Sequence, residues 1–260
     1  MKKKSRILAL ILALVMIFSA CAKQSNYKEP SAEKTLANSF LIDYKGKVID
    51  EKDIGKRKVI QIYFDPMCSS CIVTEEIIAE KLEEILEDNA VIRYNPVAFL
   101  GDDENNISYS QRIASMLLSV TELEKDKSFE FLKSVMDFNF VEGVVKDIEA
   151  EISKDEDKYI KDQKLTEEFY KIQDNKIFTH LEKVYTGNDF NKVKENAEKK
   201  IGLVKDLTQA FLENDNLKAM SKDGKSLYTP FIVVEGNDKV LDSTLETLVE
   251  DLKGALKVDK

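Results

Sequence analysis

One histidine, His180, and three cysteines, at positions 21, 68 and 71, are all that 260 residues offer for metal binding through imidazole or thiolate. A structural zinc site takes about four such ligands, and no second cysteine pair accompanies Cys68 and Cys71. Haem attachment needs histidine directly after the second cysteine, where Ile72 stands. Calcium is excluded on spacing: Gly101 to Asn106 is rich in carboxylates but lacks the ligand intervals and the glycine of an EF-hand loop, and reads as a solvated loop and helix cap. Positive charge is also short. Of 39 basic residues four lie in Lys2–Arg6, leaving 35 against 48 acidic ones, a formal −13 for the rest of the chain. Such a body has no affinity for nucleic acid, nor for anionic lipid through charge. No internal repeat is present. The longest apolar run, Ile7 to Phe18, is too short to cross a bilayer comfortably.

What the chain does have, with 43% hydrophobic residues, is enough apolar material for a sizeable core. Its most informative stretch runs from Val59 to Cys71. Val59 to Phe64 is a short β-branched and aromatic run of the buried-strand kind, ended by Asp65-Pro66. Ile72, Val73, Ile77, Ile78, Leu82, Ile85 and Leu86 then recur at helical spacing toward Asp88. Cys68 to Cys71 therefore form the opening turn of an amphipathic helix. A thiolate there meets unpaired backbone N–H groups and the positive end of the helix dipole, which lowers its pKa. Cys68, nearest the end, is the better nucleophile. Two blander readings stand beside a redox-active dithiol: a structural disulfide, closing only four residues and contributing roughly 2 kcal/mol, and a reduced pair in the core.

Strand, Asp65-Pro66-Met67-Cys68-x-x-Cys71 and helix together resemble the active-site segment of thioredoxin-fold disulfide oxidoreductases, in particular the DsbA and DsbG types. Tyr228-Thr229-Pro230-Phe231 near the far end is similar to the Thr-Pro or Val-Pro, with a cis bond, that faces the cysteines in that family. The resemblance implies an α/β thioredoxin-like fold with an inserted helical domain, Cys68 and Cys71 as catalytic residues, and Thr229 and Pro230 as the backbone on which a client lies. It implies no cofactor and no metal. Two departures matter. Ser69-Ser70 replaces the Pro-His of the strong oxidases, and Ile62 stands where the family carries a buried acid, so proton transfer to Cys71 needs another route.

The N-terminus reads as an export signal: Met1 to Arg6 is basic and Ile7 to Phe18 apolar. Ser19-Ala20-Cys21 resembles a bacterial lipobox, giving residues 1–20 as signal and Cys21 as the lipidation site. Residues 21–38 are polar and patternless, a tether of about 20–25 Å root-mean-square reach. Residues 39–104 are expected as the first part of the thioredoxin-like domain. Phe40 to Ile49 forms a strand pair turning at Lys45-Gly46, followed by the active-site strand and helix. A second parallel strand, Ala90 to Phe99, completes a βαβ unit. Residues 105–224 read as a helical insertion, with helices near 108–120, 125–138, 162–186 and 190–213, separated at Thr121, Gly143 and Gly187-Asn188. Phe129, Phe131, Leu132, Val135, Met136, Phe138 and Phe140 read as packing residues, and His180 as a helix-face residue. Residues 225–260 return to the sheet through a hairpin, Phe231–Glu235 and Lys239–Leu241. A helix capped by Asp242-Ser-Thr244 follows, with Leu245, Leu248, Val249, Leu252 and Leu256 on one face.

Together these features imply an extracytoplasmic enzyme, lipid-anchored to the bacterial cell membrane, that exchanges disulfides with exported cysteine-containing proteins and is recycled by a membrane redox partner. A monomer is expected, because the tether is too short to supply a dimerisation domain. The competing readings are a lipid-anchored thioredoxin-fold copper-binding or chaperone protein with Cys68 and Cys71 as soft ligands, and a purely structural surface lipoprotein.

Overall fold

A computed structural model describes residues 39–101, 106–162, 164–236, 240–241 and 243–257. The signal, Cys21 and the tether lie outside the described residues, as do Asp102 to Asn105 and the tip of the last hairpin.

The chain enters through β1 (Phe40–Ile42) and β2 (Val48–Ile49), antiparallel with Leu41 opposite Ile49. Between them Gly46 takes a φ of +72°, which the expected turn requires of a residue without a side chain. Next comes β3 (Lys58–Phe64), whose apolar residues are pinned on both edges by β4 (Ala90–Pro96) and β7 (Phe231–Val234). Between β3 and β4 lie α1 (Ser69–Glu80) and α2 (Leu82–Leu86), so that β3 and β4 run parallel. The single helix expected from Ile72 to Asp88 is thus two. Lys81 leaves the helical path at φ −111°, its N–H shared between the carbonyls of Ile77 and Ile78. The bend turns Leu82, Ile85 and Leu86 into the core. Glu87 and Asp88 then take positive φ and stop the helix without a glycine.

The sheet order is β2-β1-β4-β3-β7, with β7 antiparallel to β3 and Tyr63 opposite Phe231. Because β7 runs the opposite way, its first residue lies beside the carboxyl end of β3. Ligands approach open α/β sheets at strand carboxyl ends, and here this brings Pro230 next to the cysteine turn. The main core packs Ile60, Ile62, Phe64, Ile92 and Tyr94 of the sheet against the helices, including Leu248 and Leu252 of α10 (Leu248–Lys257). α10 begins four residues later than Thr244: Thr244 to Thr247 form a turn, and Leu245, expected on the buried face, is 46% exposed. In the last hairpin Leu241 N–H donates to the Ile232 carbonyl at 2.9 Å, although the described residues 240–241 are not themselves a strand.

Between β4 and β7 the regular elements of the described chain are helices apart from the two-residue strands β5 (Ile160–Lys161) and β6 (Lys164–Leu165). The α-helices are α3 (Tyr109–Leu123), α4 (Ser128–Val135), α5 (Phe138–Ile152), α6 (Glu156–Tyr159), α7 (Glu167–Val184), α8 (Phe190–Glu213) and α9 (Asp215–Met220). Ser108 and Gln111 close a capping box at the start of α3. The nearly enclosed Arg112 of α3 spans to Asp174 on α7 and Glu198 on α8, at 2.6 and 2.7 Å. Of the expected breaks, the first falls three residues later, at Glu124, and the one at Gly143 is absent. Thr121 stays inside α3, its hydroxyl donating to the Leu117 carbonyl at 2.8 Å. Gly143 sits within α5, where a Cβ would lie 2.9 Å from His180 Cε1, so glycine here serves close packing and not a stop. Asp137 caps α5 instead, accepting from the N–H groups of Asn139 and Phe140. Phe138 begins that helix at 47% exposure, unlike the other aromatic residues expected to pack with it.

Candidate active site

The β3 strand ends at Phe64, and Asp65 fixes everything that follows. Its buried carboxylate accepts the N–H of Met67 at 2.8 Å, those of Phe99 and Leu100 at 2.9 Å each, and the Ser110 hydroxyl at 2.5 Å. One side chain thereby joins the cysteine turn, the loop after β4 and the first helix of the insertion. Burial pushes its pKa up to about 6, against the opposing effect of Ser110 and the backbone donors. In the sequence Asp65 reads only as a strand terminator, because all but one of these partners lie more than thirty residues away.

Cys68 is the N-cap of α1. Its Sγ accepts the N–H of Cys71 at 3.3 Å and lies 3.0 Å from the Ser70 hydroxyl. The Thr229 carbonyl stands 3.3 Å from the same sulfur, an acceptor for the thiol form. The Cys71 thiol, the Ser70 hydroxyl, the Thr229 side chain and the Cys71 N–H favour the thiolate and together outweigh burial, lowering the Cys68 pKa to about 5. Cys71, one turn further in and 2% exposed, is driven strongly the other way by burial and by its neighbour's thiolate. The pair thus separates into an ionised outer sulfur and a protonated inner one at neutral pH. Among the described residues the leading causes are neutral donors around a helix end and not a lysine, arginine or histidine.

The Thr229–Pro230 bond is cis, as the resemblance implies, and both residues are half-buried beside the cysteines. Exposed Tyr228 precedes them, edge-on to Phe231.

Behind Cys71 lies a small cavity, about 10 Å³ as room for water centres, bordered by Ile62, Phe64, Cys71, Thr74, Glu75, Tyr94, Leu132, Met136 and Pro230. Ile62, at the place of the family's acid, contributes only an apolar wall. Glu75 brings a carboxyl instead, from one turn further along α1. It is 5% exposed, and burial pushes its pKa up to about 8 despite Tyr94 and Lys133, which favour the charged form. The sequence signal was present but unread: Cys71, Glu75, Ile78 and Leu82 share one helix stripe that is otherwise apolar.

His180 is a packing residue, its Nε2 3.0 Å from Asp147 and its ring edge-on to Phe140. Among the described residues no three His, Cys, Asp or Glu side chains gather in a metal-binding arrangement.

No family model and no curated protein matches the chain. Solved structures do. Reduced DsbA from Mycobacterium tuberculosis is similar with a TM-score of 0.52 at 15% identity, covering 85% of this chain and 93% of that one. A thioredoxin-like oxidoreductase from Silicibacter pomeroyi also gives 0.52, at 12% identity over 88% of this chain and 100% of the other. The reduced disulfide bond oxidoreductase DsbG from M. tuberculosis gives 0.51 at 16% identity, over 84% and 87%. The fold is therefore thioredoxin-like with a helical insertion.

Proposed function

From the division of labour between its two cysteines, we propose that the chain is a thiol–disulfide oxidoreductase of exported proteins, with Cys68 exchanging and Cys71 resolving. The observation that carries this is Cys68 Sγ at the α1 N-cap, lowered to about 5 and facing the Thr229 carbonyl, while Cys71 stays protonated behind it. A structural disulfide has no use for that asymmetry. In the oxidising direction a client thiolate attacks Cys68 of the Cys68–Cys71 disulfide, a client–Cys68 bond forms, and Cys71 leaves. A second client thiolate then attacks the client sulfur bonded to Cys68 in the mixed disulfide, forms the client disulfide and releases Cys68 as thiolate. Two client thiols are oxidised and the enzyme disulfide is reduced to the dithiol, so a membrane disulfide donor must restore it. The backbone at the half-buried Thr229 and Pro230 would seat the client strand.

Residues 1–20 as signal, Cys21 as lipidated N-terminus and residues 21–38 as tether belong to the same proposal, supported by the n-region, the apolar run and Ser19-Ala20-Cys21. They would hold a monomeric domain, 39–104 and 225–260 around the insertion 105–224, just outside the cell membrane.

The test is trapping with a disulfide-bonded client, which the remaining thiolate attacks, on non-reducing gels. Cys71→Ser should accumulate mixed disulfides through Cys68, and Cys68→Ser should accumulate few. Equal trapping by both variants contradicts the assignment. Intact mass of membrane-extracted protein showing unmodified Cys21 or a retained signal contradicts the anchor.

A further inference from the structure

Glu75 is a buried acid for which the exchange reaction as described has no use, and its surroundings give it one. It stands four residues after Cys71 on the same helix, so the two side chains lie on one face. Both border the cavity behind the cysteine turn, whose room corresponds to about one water. Glu75 Oε1 makes no hydrogen bond of good geometry among the described residues, although the Tyr94 hydroxyl on the same cavity wall lies close enough to favour the charged carboxyl. A buried carboxyl oxygen without a partner is costly, and such groups concentrate where protons are moved. The remaining cavity wall is apolar except for Thr74, so no other carboxyl borders it. Asp65, the other buried acid near the cysteines, has both oxygens taken by four donors.

We propose that Glu75 is the proton-exchange partner of Cys71, working across this cavity. The inference rests on Cys68 and Cys71 being an exchange pair. When a client thiolate attacks Cys68, the Cys68–Cys71 bond breaks and the electron pair goes to Cys71. Glu75 gives its proton to that sulfur and becomes a carboxylate. When Cys71 later attacks to re-form the disulfide, its proton returns to Glu75 and the leaving sulfur departs as thiolate or is protonated from solvent. Atoms and charge balance in both directions with no additional reactant. The groups facing Glu75 set the pH at which it works: Tyr94 from β4, Lys133 from α4 and the Cys71 sulfur from its own helix. With a pKa of about 8 the carboxyl is about nine-tenths protonated at pH 7, ready to donate when Cys71 leaves. The acid missing at Ile62 is thus supplied from the helix and not from the strand.

The experiment follows oxidised protein reacting with a cysteine peptide in a stopped-flow instrument from pH 5 to 9, for wild type and Glu75→Gln. In parallel, iodoacetamide alkylation of Cys68 is followed in the reduced proteins. Glutamine keeps the shape but cannot carry the proton. Expected are a loss of about tenfold or more in the exchange rate at pH 7, disappearance of the bend near pH 8 that remains in wild type after the rate is divided by the peptide's own thiolate fraction (its thiol ionises at about pH 8.5), and an unchanged Cys68 alkylation midpoint. An exchange rate and profile equal to wild type overturn the proposal and leave the exchange function standing. A wild type that does not react with the peptide overturns both. Should Glu75→Gln shift the alkylation midpoint, and so show a disturbed fold, the infrared carboxyl band of the wild type decides. Its titration should differ between oxidised and reduced protein; a band indifferent to redox state overturns the proposal.

Discussion

The Ser70 hydroxyl lies 3.0 Å from Cys68 Sγ and 3.5 Å from the Thr229 carbonyl, bridging the nucleophile to the strand that faces it. Read from the sequence, Ser69-Ser70 promised little: neutral hydroxyls in place of a histidine, hence only modest help to the thiolate. In the fold, Ser70 acts with the Cys71 thiol, the Thr229 side chain and the Cys71 N–H, all on one sulfur. Ser70→Ala should therefore raise the Cys68 pKa by about one, since a hydrogen bond to a charged group is worth about 1.5 kcal/mol and one pKa step is about 1.4. The couple should become about 30 mV less oxidising. Thiolate absorbance against pH measures the first, glutathione titration the second.

Gly143 offers a packing test. In most helix interiors Gly→Ala gains about 0.5–1 kcal/mol. At Gly143 the added methyl would meet His180 Cε1 at 2.9 Å and Nδ1 at 3.2 Å, and overpacking costs about 1–3 kcal/mol. Gly143→Ala should lower stability in urea by about 1 kcal/mol, whereas the same change made in His180→Ala should raise it. An equal effect in both backgrounds would mean that the two residues do not touch.

Two buried groups pull the pH dependence of stability in opposite directions. Glu75 has its pKa raised from 4.5 to about 8, so between those values the folded state holds a proton that the unfolded state has lost, and stability falls as pH rises. Cys68, lowered from 9.0 to about 5, does the reverse in the reduced protein: the unfolded thiol holds a proton that the folded thiolate has shed, and stability grows from pH 5 to 9. Reduced protein should gain stability over oxidised protein across that window. Glu75→Gln should gain over wild type between about pH 4.5 and 8. Thermal unfolding at stepped pH reads both, and a flat difference in either pair contradicts the corresponding assignment.

How far these residues were legible in advance follows from how local their environments are. The turn at Cys68 to Cys71 and the edge pair around Gly46 are set by neighbours in sequence, and α8 from Phe190 to Glu213 lies where its period put it. Gly143 does not break its helix, and the break expected at Thr121 comes at Glu124, because what keeps each residue helical, His180 for one and a backward bond to Leu117 for the other, is not visible in a propensity. Asp65 and Glu75 were missed for a related reason. The first acquires meaning from Phe99, Leu100 and Ser110, the second from Tyr94 and Leu132, and each set is assembled only by the tertiary fold. Leu245 and Phe138 err the other way: apolar letters in helical register that the fold leaves in solvent.

The central claim is that Cys68 and Cys71 are an exchange couple and not a staple, and their reduction potential tests it most directly. Thiolate stabilisation of the reduced form makes a disulfide more oxidising, and a Cys68 pKa of about 5 lies between the thioredoxin value of about 7 and the DsbA value of about 3.5. Equilibration of the full chain with glutathione should accordingly give a two-electron couple between about −270 and −120 mV, the span from thioredoxin to DsbA. A potential below about −300 mV, where structural disulfides fall, would contradict the account.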